Sequence, residues 1–308
     1  MIVLSGAGTA FCSGYDLAYY AEASGSASGT QEIPWDPMKD YAFMMRAGVW
    51  SAARFKPIVP AMQVIPVPCL SDNYAYLVIE NGRAAVVDPS QADPVLRAIE
   101  EARVKLSEIW LTHHHWDHIG GIESLIEECP IKNVRGSRYD AEHRRIPKQT
   151  DALSDGDAFD FAGATVQVLE IPGHTLGAIA FIADGNLFSG DTLFVAGCGR
   201  VFEGTMEMMS RSLGKLRLLP PLTKIWCGHE YTVNNLRFAQ TVEPENREID
   251  RALEDALAAR SAKRFTVPGR IDRELATNPF FRFDDPKVAA GKDPVASFTA
   301  IRKAKDDF

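Results

Sequence analysis

Paired cysteines are missing from this sequence. The five it has, Cys12, Cys69, Cys129, Cys198 and Cys227, are scattered, odd in number and never in a C-x-x-C arrangement. A disulfide framework is thereby excluded, and a reducing compartment is indicated. No apolar run approaches the ~20 residues that a membrane helix requires, so no membrane partner is expected. No Lys or Arg precedes Lys39, and the N-terminus therefore resembles neither a secretory signal nor an Arg-rich transit peptide. The cytoplasm is the expected location. Basic charge is also in deficit, with 33 Lys and Arg against 41 Asp and Glu and a net charge of −8, which argues against nucleic acid as a partner. What is present is bulk: 308 residues, 46% of them hydrophobic, suffice for a large core and more than one domain. A monomer is expected.

Histidine is scarce as well, yet it is concentrated. Of seven in the chain, four fall within Thr112-His113-His114-His115-Trp116-Asp117-His118-Ile119-Gly120-Gly121. Glu108 to Leu111 reads as a short buried strand before this segment. Ile119, Ile122, Leu125 and Ile126 recur at helical spacing after it. In an extended segment alternate side chains share a side, so His113 and His115 point together and His114 points away. Asp117 and His118 fall where the helix begins and can face a second point nearby. Asp117 alone could be a helix N-cap and a single His a hydrogen-bonded core residue. The spacing His-x-His-x-Asp-His is more specific than either, and it offers two adjacent ligand sets. Three further residues of ligand type stand at strand-to-loop junctions beside glycine, where backbone can approach closely: His174 after Gly173, Asp191 after Gly190, and His229 after Gly228.

These blocks, with Gly197-Cys198-Gly199-Arg200, Phe202-Glu203-Gly204, Cys227-Gly228-His229-Glu230-Tyr231-Thr232, Asn278-Pro279-Phe280 and a basic last helix, resemble the metallo-β-lactamase superfamily. Within it they resemble the glyoxalase II, or hydroxyacylglutathione hydrolase, family over about residues 62–308. The resemblance implies an α/β fold, an αββα sandwich with the metals at one edge and a C-terminal helical domain. The expected division is a catalytic domain over 62–236 and a helical substrate-binding domain over 237–308. Residues 1–61 instead resemble an interior slice of the crotonase, or enoyl-CoA hydratase, family. They lack that family's catalytic acids and half of its oxyanion hole, and are expected to be a non-functional extension.

Along the chain, alternating strands at 63–67, 74–79 and 84–87 precede a helix over 94–104, with Asn81-Gly82 as a hairpin turn. Strand 131–134 and a charged surface segment at 138–145 follow, and His143 is expected there in solvent. Hairpins turn at Ala162-Gly163 and Asp184-Gly185, and helices are expected at 206–219, 234–242, 247–263 and 296–307.

Carried over residue by residue, the resemblance implies that His113, His115 and His174 hold one metal, that Asp117, His118 and His229 hold a second, and that Asp191 bridges the two. Nitrogen and oxygen donors suit zinc, and also iron or manganese. Two such ions lower the pKa of a shared water toward ~7, with Asp117 and Asp191 in the catalytic machinery. The implied reaction is hydrolysis of S-(2-hydroxyacyl)glutathione, typically D-lactoylglutathione, in methylglyoxal detoxification. Arg200, Tyr231, Arg302 and Lys305 match the family's glutathione contacts, while Phe202 stands where some members carry Tyr and removes one hydroxyl. Two alternatives remain at this point. One is an iron-dependent persulfide dioxygenase of the same fold; the other is a non-catalytic acyl-CoA-binding protein defined by the N-terminal piece.

Overall fold

The computed structural model describes residues 62–308, together with two paired two-residue strands, Phe11–Cys12 and Tyr15–Asp16. The reading of residues 1–61 as a crotonase-like slice otherwise lies outside the described residues.

Two six-stranded sheets form the centre of the unit Pro60–Phe308. The first runs in chain order: β1 (Gln63–Cys69), β2 (Asn73–Glu80), β3 (Arg83–Val87), β4 (Lys105–Trp110), β5 (Asn133–Ser137) and β6 (Asp151–Leu153). Its first three strands are antiparallel hairpins, the second turning at Asn81-Gly82 as expected. From β3 onward the pairing is parallel, because helices intervene: α1 (Ala92–Ala102) before β4, then α2 (Trp116–Ile119) and α3 (Ile122–Glu128) before β5. The single helix expected after the histidine segment is thus two short ones. A Cβ at Gly120 would lie 2.7 Å from the Ser90 carbonyl oxygen, so the helical turns can pass this close to the Ser90 loop only as glycine. The charged segment at 138–145 contains a short helix, α4 (Arg138–Glu142), capped by Ser137.

The second sheet is built from β7 (Ala158–Phe161), β8 (Ala164–Glu170), β9 (Ile179–Ala183) and β10 (Asn186–Gly190), followed after a small β11–β12 ribbon (Leu193–Phe194, Gly197–Cys198) by helix α5 (Met206–Leu216) and β13 (Lys224–Cys227). β13 lies parallel to β10, and β14 (Gly269–Arg270) closes that edge. The chain ends in helices α6 (Thr232–Val242), α7 (Arg247–Ser261), α8 (Ile271–Thr277), α9 (Pro286–Ala289) and α10 (Pro294–Asp306).

Period-2 alternation explains the layers. Tyr74, Tyr76 and Val78 of β2 face the second sheet, while Ala75 and Leu77 face the helices outside. Trp110 is fully buried between the sheets, with the rings of Phe159, Phe161 and Phe181 at 5.4, 5.1 and 5.6 Å. Each such aromatic pair contributes ~0.5–1.5 kcal/mol beyond its buried area. Helices α1 and α3 cover the outer face of the first sheet. The outer face of the second is covered by α5 and by Ile271, Phe280, Phe281, Phe283, Phe298 and Ile301. The C-terminal helices therefore share a core with the sheet, and the architecture is the αββα sandwich the resemblance implied. No helix among the described residues is long and apolar enough to cross a membrane.

Candidate metal centre

Parallel strands place their carboxyl ends on one edge, where loops leave the sheet and polar side chains converge. β4 ends into His113 to His118, β8 into His174, β10 into Asp191 and β13 into His229. The two sheets are tied together at this edge, since Tyr74 N–H donates to the Gly228 carbonyl (2.8 Å) and Ile179 N–H to that of Thr112 (2.9 Å), while Gly228 N–H is held by the Gly190 carbonyl (3.0 Å) within the second sheet.

The ligand-type atoms of His113, His115 and His174 lie within 4.8 Å of one another, as do those of Asp117, His118 and His229. The Asp191 carboxylate stands between the two groups. Its Oδ1 is 3.4 Å from His118 Nε2, and its Oδ2 is 3.2 Å from His229 Nε2 and 3.6 Å from His174 Nε2. All seven residues expected at the metals are thus brought to one place. His114 points the other way, toward Asp140 (3.2 Å) and Glu203 (3.5 Å). His143 is at the surface, stacked on Tyr139. His115 occupies the N-cap position of helix α2, without a side-chain capping bond, and Asp117 lies inside the first turn.

The tautomers follow from the partners. The His174 Nδ1–H donates to the Arg200 carbonyl (2.8 Å), His118 Nδ1–H to Asp88 Oδ2 (3.0 Å) and His229 Nδ1–H to Asp72 Oδ1 (2.8 Å). Thr112 Oγ1 donates to Asp88 Oδ2 (2.6 Å) and so must accept from His113 Nδ1–H (3.0 Å). Each of these four rings is held by Nδ1 and turns the lone pair of Nε2 toward the shared space. His115 is the exception, presenting Nδ1, 3.0 Å from His174 Nε2. His113 Nε2, His118 Nε2 and Asp191 Oδ1 are buried without a hydrogen-bond partner. Buried donor atoms without partners, converging around one carboxylate, fit divalent cations.

The electrostatics agree. Burial, then the neighbouring His118, holds His113 well below the usual imidazole range. Burial, then His174, lowers His115 to about 4, and burial likewise lowers His174. These rings are neutral electron-pair donors. Burial opposes charge on Asp191, but His118 and His229 beside it hold its carboxyl well below the ordinary range. Burial also opposes charge on His118 and His229, yet Asp191 raises both. A divalent cation competing for the same lone pairs displaces those protons.

Sequence reasoning missed Asp72, Asp88 and Thr112, which orient the ligands from behind. Asp88, His113 and His118 also converge within 4.8 Å. The Asp88 carboxylate, however, is committed to Thr112 N–H (2.8 Å), the Thr112 hydroxyl and His118 Nδ1, so it orients rather than ligates. The available signal was its place, an acid directly after the apolar Val86-Val87 strand end, which is the same position that exposed Asp191.

The residues expected to meet substrate have different environments. Tyr231 stacks on His229 (centroids 4.8 Å apart, planes at 5°), and burial raises its phenol to about 12, keeping it a proton donor. Phe202 is 64% exposed, with its ring 5.2 Å from that of His174 and 5.9 Å from that of His115. Arg200 is exposed at the rim and paired with Asp306 (3.3 Å). Lys305 is half-buried against Phe238 and Phe308, with its ammonium on the Asn234 side-chain oxygen. Arg302 differs from the expectation of an open cation. It is 3% exposed, donates to the Cys198 carbonyl (2.7 Å) and pairs with Asp306 (3.1 Å).

Comparison with known proteins matches the description of the metallo-beta-lactamase superfamily over residues 70–229 and of the hydroxyacylglutathione hydrolase C-terminus over residues 230–308. A hydroxyacylglutathione hydrolase of Synechococcus sp. is 47% identical over 254 residues, covering 80% of this chain and 100% of its own length. One from Alkalilimnicola ehrlichii is 45% identical, covering 79% of this chain and 98% of its own. Among solved structures, ETHE1 from Myxococcus xanthus matches with a TM-score of 0.56 at 24% identity over 79% of this chain and 89% of its own. The BLEG-1 B3 metallo-beta-lactamase matches at 0.54 and 21% over 71% and 99%. These two structures share the fold alone. With the whole length of curated relatives matched at nearly half identity, and with the divalent metal site their superfamily is named for, the chain belongs to the hydroxyacylglutathione hydrolase family.

Proposed function

We propose that this protein hydrolyses S-(2-hydroxyacyl)glutathione thioesters, typically D-lactoylglutathione, to glutathione and the 2-hydroxy acid. The observation that carries this reading is the Asp191 carboxylate set between two three-residue ligand groups. His113, His115 and His174 would hold one ion, Asp117, His118 and His229 the other, and Asp191 both. Two divalent ions held there, zinc by donor set with iron or manganese as alternatives, would supply Lewis-acid polarisation of a carbonyl and a water of pKa lowered toward ~7. A thioester suits this site because its leaving thiolate has a conjugate acid near ~8.5 and departs without a strong general acid.

The chain's own residues then bind and orient. In this reading Arg200, Tyr231 and Lys305 meet the anionic glutathione part. Arg302 holds the Gly197–Gly199 turn through the Cys198 carbonyl, and Phe202 offers an apolar wall beside His115 and His174. Within residues 237–308 the cation of this rim is Lys305, and Arg200 comes from the loop after β12. The four cysteines of residues 62–308 are free thiols, in keeping with a reducing compartment such as the cytoplasm.

Release of thiol from D-lactoylglutathione by metal-analysed protein tests the reading, with about two ions per chain expected. Oxygen uptake with glutathione persulfide, and no thioester cleavage, would replace it with the dioxygenase alternative. Lys305 gives a second check. Burial, then the nearby Arg302, lowers its ammonium to about 8. The group is charged below that pH and neutral above it, so kcat/KM for the anionic thioester should fall as pH rises through about 8. Lys305→Ala should raise KM about tenfold at neutral pH with kcat nearly unchanged, and should remove that limb of the profile. A hundredfold loss in kcat at constant KM would place Lys305 in the chemistry instead.

A further inference from the structure

His113 and His115 follow the end of β4 and His174 the end of β8, so segments distant in sequence meet in this group. We propose that Glu203 is the positioning residue that fixes His174 against the His113/His115 pair. Its carboxylate touches both sides. Glu203 Oε2 accepts from the N–H of Leu176, two residues after His174 (2.9 Å). Oε1 lies 3.5 Å from Nε2 of His114, the residue between the other two ligands. Arg145 donates to both oxygens (2.7 and 2.9 Å), which fixes the carboxylate plane and balances its charge.

The backbone around Glu203 grips the same turn. The N–H groups of Phe202 and Glu203 both donate to the His174 carbonyl (3.3 Å each), and that of Gly204 donates to Gly173 (3.1 Å). A Cβ at Gly204 would lie 2.8 Å from the Gly173 backbone, so only glycine permits this approach. Removing the carboxylate leaves the Leu176 N–H and the Arg145 guanidinium without their common acceptor and His114 without its ionic neighbour, and frees the His174 turn to shift. Glu203 acts through His174.

The proposal rests on the metal-binding reading and not on the identity of the thioester, so it is tested without substrate. Protein stripped with a chelator is refilled with Co²⁺, and the two binding steps are followed by visible absorption. Glu203→Ala should weaken one ion about 10–100-fold, the range for ligand-orienting partners, and leave the other unchanged. Glu203→Gln keeps an acceptor for Leu176 but loses the charge, and should weaken the same ion about three- to tenfold; it carries the comparison where the alanine variant does not fold. In a His174→Ala background either substitution should add less than about twofold, since the group it acts through is gone. Unchanged affinity, equal weakening of both ions, or a full additional loss in the His174→Ala background would each overturn the proposal. Normal binding of both ions without thioester cleavage by the unsubstituted protein would count against the proposed reaction alone.

Discussion

Replacing Asp191 with alanine should lower kcat/KM by at least about a thousandfold, equivalent to ~4 kcal/mol of barrier. The reason is positional. The Asp191 carboxylate lies beside both ligand groups, 3.4 and 3.2 Å from His118 and His229 of one and 3.6 Å from His174 of the other. It also supplies the negative charge that sets the protonation of His118 and His229. Without it the neutral rings of His113, His115 and His174 still form a nitrogen triad, so one ion should remain and the second should be lost. Metal analysis and kinetics together check this. A variant holding two ions and more than about a tenth of the activity would overturn the bridging role.

Gly228→Ala should be nearly as damaging, although the residue has no side chain and ligates nothing. An added Cβ would lie 2.2 Å from Asp191 Oδ1 and 2.7 Å from His118 Cε1. The backbone cannot retreat, because Gly228 N–H is bonded to Gly190 and its carbonyl to Tyr74 N–H. Asp191 or His118 must move instead, and a displacement near 1 Å in such a site costs about 100-fold in rate. Overpacking should also cost ~1–3 kcal/mol, several degrees of melting temperature at this size. Gly214→Ala in α5 is the matched comparison, because its Cβ meets nothing within 4 Å. It should keep full activity and melt slightly higher, as alanine favours a helix interior by up to ~1 kcal/mol. Gly228→Ala with normal metal content and kcat would mean that Asp191 can vacate its observed position.

What could be read in advance depended on whether the signal was local. The proposed ligands His113, His115, Asp117 and His118 share one short segment whose spacing encodes their directions, and His174, Asp191 and His229 each sit beside glycine at a strand end. The strands of the sandwich announced themselves by alternation, to within a residue or two for β2, β3 and β7. The roles of Asp72 and Asp88 were hidden, since their partners lie 157 and 30 residues away, and only the place of Asp88 directly after the Val86-Val87 strand end marked it. The inward turn of Arg302 was equally hidden. Its acceptor, the Cys198 carbonyl, is 104 residues distant, and a cation on the last helix reads as solvent-facing until the core beneath that helix is known. Short β6, β11, β12 and β14 carry too few residues to show a period at all.

The bond from Arg302 to the Cys198 carbonyl has a consequence for the order in which the protein is made. Every proposed ligand lies at or before His229, whereas α10, which carries Arg302 and Lys305, leaves the ribosome after all of them. The metal cage is therefore encoded in full before the helix that steadies the Gly197–Gly199 turn exists. A growing chain thus holds all the proposed ligands before it holds the residue that steadies this turn.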